Sequence, residues 1–88
     1  MKLRSGFILR EVLGAPVVVA TGEAARHFHG MVKLNETGGI IWKGLQDGLT
    51  EPQLAERLTQ TYDVTPEQAA ADVAAMLRQM ADNGFLEP

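Results

Sequence analysis

Met31-Val32-Lys33-Leu34-Asn35-Glu36-Thr37-Gly38-Gly39-Ile40-Ile41-Trp42 changes its period at Asn35, and that change decides the fold. Up to Leu34 the side chains alternate, with Val32 and Leu34 on one face and Met31 and Lys33 on the other, as in a strand. Beyond Asn35 the apolar residues Ile40, Ile41, Trp42 and Leu45 recur at helical spacing until Asp47-Gly48. Asn35 can cap the first turn with its side chain, and Glu36 lies where the helix dipole favours an anion. The segment therefore predicts a strand over 31–34 and a helix over 36–47. Gly38-Gly39 lacks the flanking pattern of a phosphate cradle, so its expected role is to let the helix's first turn approach the sheet.

Towards the N-terminus, Phe7 to Leu13 is dense in β-formers and stops at Gly14-Ala15-Pro16, a turn signal. Val17 to Ala20 adds a second strand, closed by Thr21-Gly22, and the two make a hairpin. Residues 23–30 read as a connection with room for one helical turn. Towards the C-terminus, Thr50-Glu51-Pro52-Gln53 has the form of a capping box before a helix over 51–62, with Leu54, Ala55, Leu58 and Tyr62 in one stripe. Thr65-Pro66-Glu67-Gln68 repeats the device before a third helix over 66–83, closed by Asn83-Gly84. On that helix Val73, Leu77, Met80 and Ala81 suffice for a core face, while Ala69 and Met76 widen it. The order βββααα gives an α+β fold, a three-stranded antiparallel sheet followed by a three-helix bundle, winged helix-turn-helix-like, in one domain over 1–88. So few elements can cover only one sheet face, and at least one strand edge should stay open.

The chain has 88 residues, 45% hydrophobic and 22% charged, which suits a small globular unit and leaves no room for a large active-site scaffold. Zero cysteines exclude a disulfide framework and thiolate metal ligands and fit a cytoplasmic setting. No export signal is expected, since the apolar stretch after Lys2 and Arg4 is broken at Arg10 and Glu11. The longest apolar run, Ala15 to Ala20, is far too short to span a membrane.

Charge is divided along the chain. Residues 1–44 hold six cations against three anions, and residues 45–88 hold two against eight, so the balance moves from +3 to −6. A winged-helix regulator offering its helices to DNA would need the opposite sign there, because phosphates select Lys and Arg. DNA binding is thus the weaker alternative, and no nucleic-acid partner is expected. His27 and His29 have spacing for a metal but lack a third ligand. Ser5 lies in an expected loose N-terminus without a base to activate it. Glu67 and Asp72 belong to a solvated helix face. No catalysis, metal or cofactor is expected. A broad, Met-bearing third helix beside an open strand instead has the character of a peptide groove.

The stretch Leu34-Asn35-Glu36-Thr37-Gly38-Gly39-Ile40-Ile41-Trp42, with Leu45, Thr61-Tyr62-Asp63-Val64, Asp72-Val73 and Gly84-Phe85-Leu86, resembles the coenzyme PQQ synthesis protein D (PqqD) family. The resemblance implies a non-catalytic peptide chaperone that binds the leader of a ribosomally synthesised precursor peptide and presents it to a radical SAM or other peptide-modifying enzyme. It further implies that the leader adds as a strand to Met31, Val32, Lys33 and Leu34 and lies against Val73, Met76, Leu77 and Met80 of the third helix. Pairing of two copies through the same open edge, a homodimer, is a third reading.

Overall fold

A computed structural model describes residues 2–26 and 31–87. Its elements run β1 (Phe7–Val12), β2 (Ala15–Ala20), a 3-10 turn (Gly22–Arg26), β3 (Met31–Lys33), α1 (Glu36–Gln46), α2 (Glu51–Thr61) and α3 (Pro66–Asp82). The sheet is antiparallel in the order β1-β2-β3, with Arg10 opposite Val17 and Val17 opposite Lys33. The expected α+β order holds, and most boundaries agree within a residue.

The β1–β2 turn is tighter than the sequence suggests. Leu13 (φ 52°) and Gly14 (φ 80°) are its two central residues, and Val12 faces Ala15 directly. Two left-handed residues give a hairpin turn whose twist matches that of the strands. Glycine takes this backbone freely, but Leu13 does not, so no local rule pointed to it. Pro16 consequently enters β2 rather than the turn, and its carbonyl accepts from the Leu34 N–H at 2.9 Å.

The helix ends follow their caps. Asn35 Oδ1 accepts from the Gly38 N–H at 2.7 Å, and Thr50 and Gln53 complete a reciprocal capping box. Thr65 accepts from the Gln68 N–H at 3.1 Å, but the Gln68 amide turns down α3 to donate to Asp72 at 2.9 Å. The second capping device is thus used on one side. At the far end of α3, Phe85 N–H reaches the Met80 carbonyl and Gly84 N–H the Ala81 carbonyl, closing the helix with a Schellman pair around left-handed Gly84.

Val18, Ile41, Trp42, Leu54, Leu58, Ala69, Val73, Met80 and Phe85 form the centre of the core. Phe85 joins three parts of the chain, meeting Trp42 edge-on at 5.4 Å and Phe7 edge-on at 4.9 Å between ring centroids. Ala69 is fully buried and Ala81 is exposed, so the α3 core stripe runs from Ala69 through Val73 and Leu77 to Met80 and leaves out Ala81. The chain's two ends also pair. Arg4 N–H donates to the Phe85 carbonyl at 2.7 Å, Glu87 N–H to the Lys2 carbonyl at 2.8 Å, and Leu3 bridges Leu86. The N-terminal stretch before β1, expected to be loose, is tied down by these bonds. Among the described residues no helix is long and apolar enough to cross a membrane.

Candidate functional site

β3 is the short outer strand, and among the described residues it pairs only with β2. Its other edge therefore keeps backbone groups available for a further strand. Met31 is 63% exposed and Lys33 is exposed, while Val32 packs against the core and Leu34 is buried. The alternation expected from the sequence is present residue by residue.

A depression of about 280 Å³ lies where α1 starts and α3 passes, bounded by Asn35, Thr37 and Gly38 on one side and Asp72, Met76 and Gln79 on the other. Gly38 makes this meeting possible. A Cβ at that position would stand 3.1 Å from the Met76 methyl carbon, tighter than side chains normally allow, and in ordinary contact with Leu34 Cβ at 3.4 Å. The missing side chain thus draws Met76 of α3 and Leu34 at the end of β3 towards one point. Gly39 plays the corresponding part against the sheet, since a Cβ there would come within 3.0 Å of the Pro16 ring.

The eight residues singled out from sequence separate into two sets. Met31, Val32, Lys33 and Leu34 make or end the open strand, and half-buried Met76 walls the depression. Val73, Leu77 and Met80 lie beneath, at 0%, 7% and 1% exposure, within the core cluster. They hold α3 in place and present almost no surface. Asp72, read from sequence as part of a solvated helix face, and Gln79, absent from that reading, stand four residues before and three after Met76 and so share its helix face. That spacing was the signal available for them.

The Tyr62 hydroxyl and Trp42 Nε1 are buried without a well-formed hydrogen bond. Burial, and then the neighbouring Glu36 carboxylate, raise the Tyr62 pKa above its ordinary 10.0, with Thr37 acting in the opposite direction. Among the described residues no group of three His, Cys, Asp or Glu side chains could hold a metal. His27 and His29 lie outside the described residues. What the site offers is main-chain hydrogen bonding along an edge beside a cleft with one sulfur-bearing apolar wall and polar rims, a combination suited to an extended peptide.

The family of coenzyme PQQ synthesis protein D (PqqD) matches residues 17–86. No curated protein matches the chain. Two solved structures share its fold. "TbiB1 in Complex with the TbiA(beta) Leader Peptide" superposes with a TM-score of 0.82 at 20% identity, covering 99% of this chain and 95% of that one. "Lasso peptide synthetase B1 complexed with the leader peptide" gives a TM-score of 0.81 at 25% identity, covering 99% and 96%.

Proposed function

The chain belongs to the coenzyme PQQ synthesis protein D (PqqD) family, and we propose that it is a recognition element for the leader of a ribosomally synthesised precursor peptide. The leader adds as a fourth strand to the free edge of β3 and sets alternate side chains into the depression walled by Met76. The protein then holds the peptide for a modifying enzyme, of the radical SAM or another class, and itself does no chemistry. It works in the cytoplasm as a single domain.

The observation that carries this reading is the open β3 edge running into the Gly38 and Met76 depression. The neighbour at 25% identity is itself a leader-peptide complex, which supports the same class of ligand. The contact set is Met31, Val32, Lys33, Leu34 and Met76, joined by Asp72 and Gln79, with Val73, Leu77 and Met80 as the packed support beneath. The acidic side chains Glu67, Asp72 and Asp82 on α3 disfavour the DNA-binding alternative.

Titration with the leader segments of short peptides encoded beside the gene, followed by NMR, tests the proposal. Amide shifts should concentrate at residues 31–34 and on the Asp72, Met76 and Gln79 face of α3. Shifts confined to other surfaces would overturn the groove assignment. Met76→Glu should weaken leader binding by about tenfold or more, since it sets a carboxylate beside Asp72 where an apolar wall stood. Its melting temperature should stay near that of the wild type, because Met76 is only half-buried.

A further inference from the structure

Four large apolar side chains among the described residues stand in solvent, and all four belong to the strand half: Ile8 at 39%, Val12 at 43%, Leu13 at 103% and Met31 at 63% exposure. Register places three of them together. Ile8 is opposite Val19, Val19 is opposite Met31, and Val12 is opposite Ala15, so all point to the sheet face turned away from the helices. Leu9, Val18 and Val32 point the other way, into the core. Arg10 and Lys33 flank Val17 on the outer face, and no acidic residue of the three strands shares it. Val17 is only 4% exposed yet stands outside the core cluster.

Leu13 is the sharpest anomaly. It occupies a left-handed position (φ 52°) where asparagine, aspartate or glycine would relieve strain, and its side chain touches water on every side. Neither its backbone nor its side chain helps the fold. A winged-helix hairpin used on nucleic acid would carry cations at its tip to meet phosphates, but this tip is Val12-Leu13-Gly14. The residue has the marks of an anchor, a protruding apolar side chain whose burial waits on a partner.

We propose that the hairpin tip and outer sheet face are a docking surface for the peptide-modifying enzyme, with Leu13 seated in an apolar pocket of that enzyme rimmed by carboxylates. The assignment rests on the leader-binding reading given above. Charge selects the occupant's chemistry, since Arg10 and Lys33 require an acidic rim. Position selects the occupant, since the face ends on Met31 and Lys33 of the strand whose free edge takes the leader, so a protein docked there lies beside the peptide.

Leu13→Asn tests this with little risk to the fold, because asparagine accepts the left-handed turn. The probes are the purified modifying enzyme encoded beside the gene and the leader peptide, titrated separately by calorimetry. The variant should melt at or above the wild-type temperature and bind leader unchanged, while its affinity for the enzyme falls about tenfold or more. Arg10→Glu should weaken the enzyme complex too and flatten its salt dependence. Equal enzyme affinity for wild type and Leu13→Asn, with leader binding intact, overturns the docking surface and leaves the leader reading standing. Failure of the wild type to bind leader overturns that reading instead. Concentration-dependent self-association that Leu13→Asn abolishes would give the face to a second copy and overturn the enzyme as its occupant.

Discussion

The two faces of the sheet are made of the same kinds of residue and meet opposite fates. Phe7, Leu9, Val18 and Val32 look inward and pack in or against the core cluster, while Ile8, Val12, Val19 and Met31 look outward and stand outside it. Val18 is fully buried and Met31 is 63% exposed. Three helices suffice to cover one face of a three-stranded sheet and no more. The apolar content of the outer face is therefore not explained by the core, whereas that of the inner face is. A chain with little apolar surface to spare has kept some where it does not hold the fold together.

If the inner side carries the stability, its centre should be the most costly place to cut. Trp42 is fully buried and meets Phe85 edge-on, which in turn meets Phe7 of β1. Trp42→Ala should destabilise by about 3–5 kcal/mol, read by urea or thermal unfolding, and leave the protein largely unfolded near body temperature. A loss below about 1 kcal/mol would mean that the core is not organised around this ring.

The contrast between faces is tested most directly by one chemical change made on each. Val18→Thr keeps shape but buries a hydroxyl without a partner, and should cost about 1–3 kcal/mol. Ile8→Thr, on the neighbouring strand but the opposite face, keeps a β-branched residue in water and should stay within about 0.5 kcal/mol of wild type. Equal losses measured by urea unfolding would show that the outer face is covered in solution, and would remove the distinction.

This contrast also marks where the sequence stops being legible. Helices were readable because their ends carry side-chain chemistry: Asn35, Thr50 and Thr65 all cap as their types and positions imply. The strand alternation at Met31 to Leu34 was readable for the same local reason. Val17-Val18-Val19 was not, because three apolar residues in a row leave unstated which face the helices will cover. The site was legible in part. Its open edge and Met76 came from pattern and resemblance, but whether Val73, Leu77 and Met80 line a surface or lie beneath it depends on the rotation of α3, which α2 and α1 fix through tertiary packing. The left-handed Leu13 and the pairing of Leu3 with Leu86 left no local signal, one because it violates a propensity and the other because it joins the chain's two ends.

The smallest expected effect lies on the covered side, at its polar loose end. The Tyr62 hydroxyl is buried beside Glu36 and Thr37 without a well-formed hydrogen bond, so removing it forfeits little and relieves a desolvated polar atom. Tyr62→Phe should match or slightly exceed the wild type in thermal stability at neutral pH. The difference should grow in alkali, and the sign is fixed by the direction of the pKa change. Burial and the Glu36 carboxylate hold the folded-state pKa above the ordinary 10.0, so the neutral phenol is favoured in the fold. That contribution is fully present below pH 10.0 and is lost as pH rises through the folded-state value. Wild type should thus lose stability above pH 10.0 faster than Tyr62→Phe, measured as the gap between their urea midpoints. A constant gap across that range would show that the hydroxyl is solvated, and that the helix-covered side is wetter around Tyr62 than its burial implies.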